Sequence, residues 1–352
     1  MNFWPDYIKL KTAVGGNREC FHYEESFGMP KEEQAHITMP NAHNKRIINE
    51  LEFAIRLNEV EGGKFDACIR SALSYLQSQM DTEGVLTKTA CDKAEAMLMP
   101  CSPDAKQYKL ILAGHAHIDM DWMWSYQETV AIVLSTFRTV LNLMKQYPDF
   151  CFSQSQASVY RMVEEYDPEL MEEMKQRIRE GRWEVTASAW VETDKNMPNT
   201  ESLLRHIQYT KHYLKEHWGI DPADLEIDFS PDTFGHSANI PEIDLFGGVK
   251  YLYHCRVLDG DIALYRWKAP SGKEILAYRE PYWYNSAIVP KIGQGIFDIS
   301  KTCAGFKTGL IVYGVGDHGG GPTRRDIEAA IEMSHWPIFP TQKFGTFREF
   351  FH

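Results

Sequence analysis

The stretch with the most chemistry in it is Gly114-His115-Ala116-His117-Ile118-Asp119-Met120-Asp121-Trp122. In extended backbone alternate side chains point the same way, so His115, His117 and Asp119 can share one face. Imidazole nitrogen and carboxylate oxygen two residues apart suit zinc or a neighbouring first-row ion, cobalt and manganese included. The competing reading is a pair of hydrogen-bonded loop histidines. An ion needs more than two protein ligands, and Asp232, in Pro231-Asp232-Thr233-Phe234-Gly235-His236-Ser237, is the candidate for another. Two further acidic clusters are Trp190-Val191-Glu192-Thr193-Asp194 and the glycine-rich run Gly316-Asp317-His318-Gly319-Gly320-Gly321. That run lacks the spacing of a nucleotide-phosphate loop. Its glycines are read as allowing close backbone approach or positive φ around Asp317 and His318. Trp122, Trp124, Trp190, Tyr282, Trp283 and Tyr284 stand near these clusters. Sugar rings stack on such faces, although aromatics also fill cores. Trp122 directly follows the metal-type loop and is the one assigned to a ligand.

Each cluster follows a predicted strand. Strand-forming runs are expected at 108–113, 150–153, 182–187, 225–230, 249–254 and 310–315, with a hairpin of 262–268 and 274–279 turning at Ser271-Gly272. Helical periodicity fills 125–147, 158–166, 168–180, 200–218, 239–246 and 322–334. Residues 1–43 read as irregular, with Gly15-Gly16, Pro30 and Pro40 as breakers, and helices are expected from about Asn44 to Leu98. The expectation is therefore a helical region over 1–104 and a β/α catalytic domain over 105–352. Strand and helix in alternation imply an α/β fold with a parallel sheet and helices outside it. About six to seven parallel strands fit an open doubly wound sheet or a barrel one or two strands short of the regular eight. In either, ligands bind at the carboxyl ends of the strands, where all four clusters fall.

Composition narrows the ligand. The 352 residues are 43% hydrophobic and 24% charged, as in an ordinary globular protein. Lys+Arg number 37 against 49 Asp+Glu, a net charge of −12, and no basic face is visible for a nucleic acid. A neutral ligand or a cationic metal suits that balance better. Apolar runs fall short of the roughly 18–20 residues of a membrane span, and Met1 to Lys11 does not read as a signal peptide. The seven cysteines are scattered without a CxxC pair. They read as reduced thiols of a cytoplasmic protein.

From about Tyr108 to Phe351 the sequence resembles glycoside hydrolase family 38, the class II α-mannosidases. The resemblance rests on ordered motifs: GHAHIDMDW at 114–122, FSQSQASVY at 152–160, EGRWEVTASAWVETDKNMPNTES at 180–202, PDTFGHS at 231–237, GDHGGGPT at 316–323 and FGTFREFF at 344–351. It implies a seven-stranded irregular β/α barrel-like domain and a zinc-dependent hydrolase of terminal α-linked mannose. His117 and Asp119 match zinc ligands, and Asp232 matches a residue that is both zinc ligand and nucleophile. Trp122 matches an aromatic at the floor of the sugar site. Phe234 and Asp194 are expected near the same sugar. Asp317 is the expected general acid, and His318 departs from the Gly of many relatives, with substrate contact, tuning of Asp317 or direct metal ligation as the roles open to it. The family's fourth zinc ligand lies in a QFHD-like segment of a downstream helical bundle, followed by β-sandwich domains. No such segment occurs here, which implies either an N-terminal piece of a longer protein or a truncated gene product, in both cases with an incomplete metal shell. A homo-oligomer is compatible with all of this.

On that resemblance Asp232 attacks the anomeric carbon, and Asp317 protonates the leaving oxygen and then serves as base, with net retention. Two alternatives are a metal-dependent amidohydrolase or deacetylase that uses metal-bound water, and a non-catalytic carbohydrate-binding relic.

Overall fold

The computed structural model describes residues 2–14, 41–256, 262–303, 305–316 and 318–352. The chain forms two compact units. One takes Met1–Tyr108 with Gly293–Phe297 and Glu332–Thr341, and the other takes Lys109–Ile292, Asp298–Ile331 and Gln342–His352.

The first unit is built on the helices Trp4–Ala13, Ala42–Val60, Asp66–Glu83 and Lys88–Leu98. Helix Trp4–Ala13 corrects the expectation of an irregular start. Pro5 sits in its first turn, where a fixed φ and a missing N–H are tolerated, and Tyr7 and Leu10 are buried on one side. The breakers at 15, 16, 30 and 40 lie outside the described residues. The long helix Ala42–Val60 buries Ile47, Leu51, Phe53, Ala54 and Leu57, an i, i+3, i+4 stripe. The Phe53 ring lies 4.8 Å from Phe297 and 5.7 Å from Phe339. Segments distant in sequence thus complete this unit's core, which helical periodicity alone could not reveal.

The second unit holds β1 (Lys109–His115), β2 (Phe152–Gln154), β3 (Trp183–Val185), β4 (Ile227–Ser230), β5 (Tyr251–His254), β6 (Leu264–Lys268), β7 (Glu274–Arg279), β8 (Thr308–Tyr313) and β9 (Thr341–Phe344). They form two sheets, one in the order β3-β2-β1-β8 with β9 also pairing β1, the other β4-β5-β7-β6. Parallel pairing joins β1 to β2 and β8, β2 to β3, β4 to β5 and β5 to β7. The fold is therefore α/β with parallel sheets. The seven-stranded barrel is not what is seen: among the described residues nine strands lie in two sheets that do not close through strand pairing. Two features cause the difference. β6 folds back antiparallel on β7, as the Ser271-Gly272 turn predicts, with Gly272 at φ 90°. β9, too polar to stand out in the sequence, adds to β1.

Alternate strand residues face a shared core: Ile111 and Ala113, Ile227 and Phe229, Leu310 and Val312. Phe229 stacks on Tyr253 at 4.7 Å, and Phe347 of the helix Phe347–Phe351 meets Phe229 edge-on at 4.7 Å. Helix ends follow the sequence closely. Ser125 and Glu128 form a reciprocal capping box at the start of Tyr126–Gln146, and Asn199 caps Thr200–Trp218. Among the described residues no helix is long and apolar enough to cross a membrane.

Candidate active site

The loops after β1, β3, β4, β5 and β7 surround one open cleft of about 670 Å³, a volume usual for small-ligand sites. His117, Asp119, Trp122, Glu192, Asp194, Asp232, Phe234, Arg256, Trp283 and Tyr284 all line it.

The floor is the β1 loop. His115 is fully buried: its Nδ1 lies 2.9 Å from the Ser153 carbonyl, and its ring packs edge-on to Phe229 at 4.6 Å. Burial pushes its pKa down to about 3, so it is a neutral packing imidazole. His115 therefore does not join the ligand face that simple alternation suggests. His117 does, with Nε2 3.0 Å from Asp119 Oδ1. Burial pulls its pKa down, but the Asp119 hydrogen bond and the charges of Glu192, Asp119 and Asp232 outweigh burial and raise it. One nitrogen or oxygen from each of His117, Asp119 and Asp232 lies within 4.8 Å of the others. His117 Nδ1 is buried and has no hydrogen-bond partner among the described residues. One imidazole and two carboxylates, converging at that spacing, fit a single small divalent cation.

Asp232 is held from several sides. Its backbone N–H donates to Glu192 Oε1 at 2.6 Å. Its carboxylate oxygen Oδ1 accepts from Arg256, whose Nε and Nη2 both lie 2.5 Å away. The Arg256 guanidinium in turn sits 4.5 Å from the centre of the Phe234 ring and 5.1 Å from that of Trp283, a cation between two aromatic faces. Below, Lys195 and Asp228 form a buried ion pair, and Lys195 N–H donates to the Gly235 carbonyl at 3.0 Å. The β3 loop is thereby tied to the β4 loop.

This arrangement coincides with a family match. The model of the glycosyl hydrolases family 38 N-terminal domain matches residues 107–352. The chain belongs to this family. Alpha-mannosidase G of Dictyostelium discoideum is 31% identical over 252 residues, which cover 70% of this chain and 23% of that protein. Alpha-mannosidase 2C1 of Homo sapiens is 26% identical over 254 residues, covering 70% and 24%. The chain thus spans about a quarter of the length of these curated relatives. Among solved structures, an alpha-mannosidase from Enterococcus faecalis has a TM-score of 0.58 at 19% identity over 69% of this chain and 29% of that one, a likeness of fold.

Within this family 38 domain, Trp122 and Phe234 are 59% and 69% exposed, so both rings present surface to the cleft, with Arg256 over one face of Phe234. Asp194 lines the cleft and accepts the Asn196 N–H at 2.9 Å. His318 is not among the lining residues. It forms an isolated backbone bridge with Ile118, which ties the glycine-rich loop to the β1 loop. Asp317 lies outside the described residues. Among the described residues three non-glycine residues have positive φ, Asp121 (55°), Gln156 (64°) and Trp283 (77°), and all lie in or beside the cleft. Strained backbone concentrated at one place is a mark of a functional site. Sequence reasoning missed Gln156, Arg256 and the bonding of Glu192. Glu192 and Gln156 fall inside quoted motifs, but Arg256 follows β5 with no motif to flag it.

Proposed function

We propose that the protein carrying this domain is a retaining α-mannosidase that removes terminal α-linked mannose from oligosaccharides. The observation that carries the reading is the convergence of His117, Asp119 and Asp232 at the base of an aromatic-rimmed cleft in a family 38 domain. His117, Asp119 and Asp232 would hold one divalent ion, zinc by preference, with cobalt or manganese as alternatives. When bound, the ion acts as a Lewis acid toward sugar hydroxyls.

The chain's own groups carry the rest. Asp232 attacks the anomeric carbon through the carboxylate oxygen not engaged by Arg256. The Arg256 guanidinium holds Oδ1 and so aims the other oxygen. Trp122 and Phe234 pack on the sugar faces, and Asp194 accepts from a sugar hydroxyl. Asp317 donates the proton to the leaving oxygen and later takes one from water. The helical and β-sandwich domains of longer relatives are read as partners in completing the site. The six described cysteines are free thiols, which supports a reducing, cytoplasmic setting.

The test is hydrolysis of an α-mannoside by the protein carrying this domain, before and after chelation and with zinc restored. D119N should abolish zinc-dependent turnover. Full activity after chelation, or in D119N, would overturn the reading.

A further inference from the structure

Gln156, which is buried, and Glu192, which is partly buried, join the two loops that carry the metal-type triad, those after β1 and β4, by way of the loop after β3. The amide of Gln156, at the end of the β2 loop, spans the β1 and β3 loops. Its Nε2 donates to the Ile118 carbonyl at 2.9 Å, and its Oε1 accepts the Glu192 N–H at 2.9 Å. Glu192 continues the chain. Its Oε1 accepts from Asp232 N–H at 2.6 Å and from Thr233 Oγ1 at 3.1 Å. Its Oε2 faces His117 Nδ1 at 3.7 Å. Gln156 holds this position at φ 64°, a conformation that non-glycine residues adopt only when surroundings enforce it.

We infer that Gln156 and Glu192 are positioning residues: together they fix the spacing of His117, Asp119 and Asp232 and turn His117 Nε2 toward the cleft. The inference rests on the proposed metal-dependent function and goes beyond its ligand set. A carboxylate facing Nδ1 favours a proton there, which leaves the Nε2 lone pair for an ion. The two oxygens of Glu192 separate these duties. Oε1 holds the Asp232 loop and Oε2 orients the imidazole.

That separation makes E192Q the informative variant. Its amide oxygen can still accept from Asp232 and Thr233, while its NH2 group would face His117 Nδ1 and favour the opposite tautomer. The experiment uses the whole chain and zinc alone, with the dissociation constant read by competition against a fluorescent indicator. Thermal unfolding of the metal-free protein and hydrogen exchange of the peptide containing Asp232 are measured alongside. E192Q should bind zinc about 10 to 100 times more weakly, with metal-free unfolding and Asp232 exchange as in wild type. E192A should weaken zinc further and speed exchange at Asp232, and Q156L should weaken zinc at an unchanged ligand set. Zinc affinity of E192Q equal to wild type would overturn the positioning of His117 while leaving the proposed function standing. Wild-type Asp232 exchange in E192A would overturn the loop-holding role, whatever the metal result. A wild-type chain that binds no zinc would instead count against the metal reading on which the inference rests.

Discussion

Replacing Lys195 with Met should destabilise the β/α unit by an amount that depends on pH. Lys195 and Asp228 are about 6% and 3% exposed and are paired with each other. The other Asp228 oxygen accepts from Ser230 Oγ at 2.7 Å. Burial alone would raise the Asp228 pKa, but the Lys195 charge and these hydrogen bonds outweigh it and lower the pKa. Neighbouring Asp244 is pushed the other way, by burial first and by the Asp228 charge second, so it is protonated and can donate to Asp228. In wild type the pair's contribution is present above the unfolded carboxylate pKa and is lost as pH falls through the lower folded value.

Without Lys195 a carboxylate would stand unpaired in the interior, a change worth about 3–5 kcal/mol. The penalty is capped, because Asp228 can take up a proton instead. From an ordinary pKa of 3.8, neutralising it takes about 4 kcal/mol at pH 7 and under 2 kcal/mol at pH 5. With a urea slope of about 2 kcal/mol per M, the K195M midpoint should fall by about 2 M at pH 7 and by less than 1 M at pH 5. The double variant K195M/D228N should recover more than half of the loss, since a neutral amide can still bond to Ser230 and Asp244. Urea titration followed by tryptophan fluorescence at both pH values measures this. A K195M loss below about 1 kcal/mol at pH 7, or one equal at both pH values, would refute the reasoning.

Three further outcomes are expected. Burial raises the pKa of Glu280 to about 8, so its stabilising contribution is complete below about pH 4.5 and is lost as pH rises through 8. Stability should fall by about 1.4 kcal/mol per pH unit across that window for this group, and E280Q should remove that slope in denaturation at pH 5.5, 6.5 and 7.5. Glu50 in the helical unit is raised to about 8 by burial first and by Glu95 second, so E50Q should flatten the same window for that unit. S125A removes the capping box of Tyr126–Gln146 and should cost about 1 kcal/mol in thermal unfolding, with zinc affinity unchanged.

The parallel strands and the helices between them were legible because buried parallel strands are short apolar runs and their crossover helices carry a 3.6-residue stripe. Gly181, at φ 72° just past helix Pro168–Arg179, ends that helix by local chemistry that needs no tertiary context. β9 escaped notice because Thr341, Gln342 and Lys343 are polar residues on a strand that is only half-buried. His115 illustrates a different limit. Alternation put it on the same face as His117, but its ring turns into the core against Phe229, and only packing decides that. The clamp of Arg256 on Asp232 joins residues 24 apart through loop geometry, as Gln156 and Glu192 do across longer separations. Hydrogen-bond networks of this kind have no period or spacing for a sequence to display.

The measurement closest to the central claim is covalent trapping with an activated fluoro-mannoside, which loses fluoride as the nucleophile's oxygen bonds to the anomeric carbon. Peptide mapping of the trapped protein should place the glycosyl group on Asp232, and D232N should accumulate none. A label on another residue, or mannoside turnover that persists in D232N, would contradict the account.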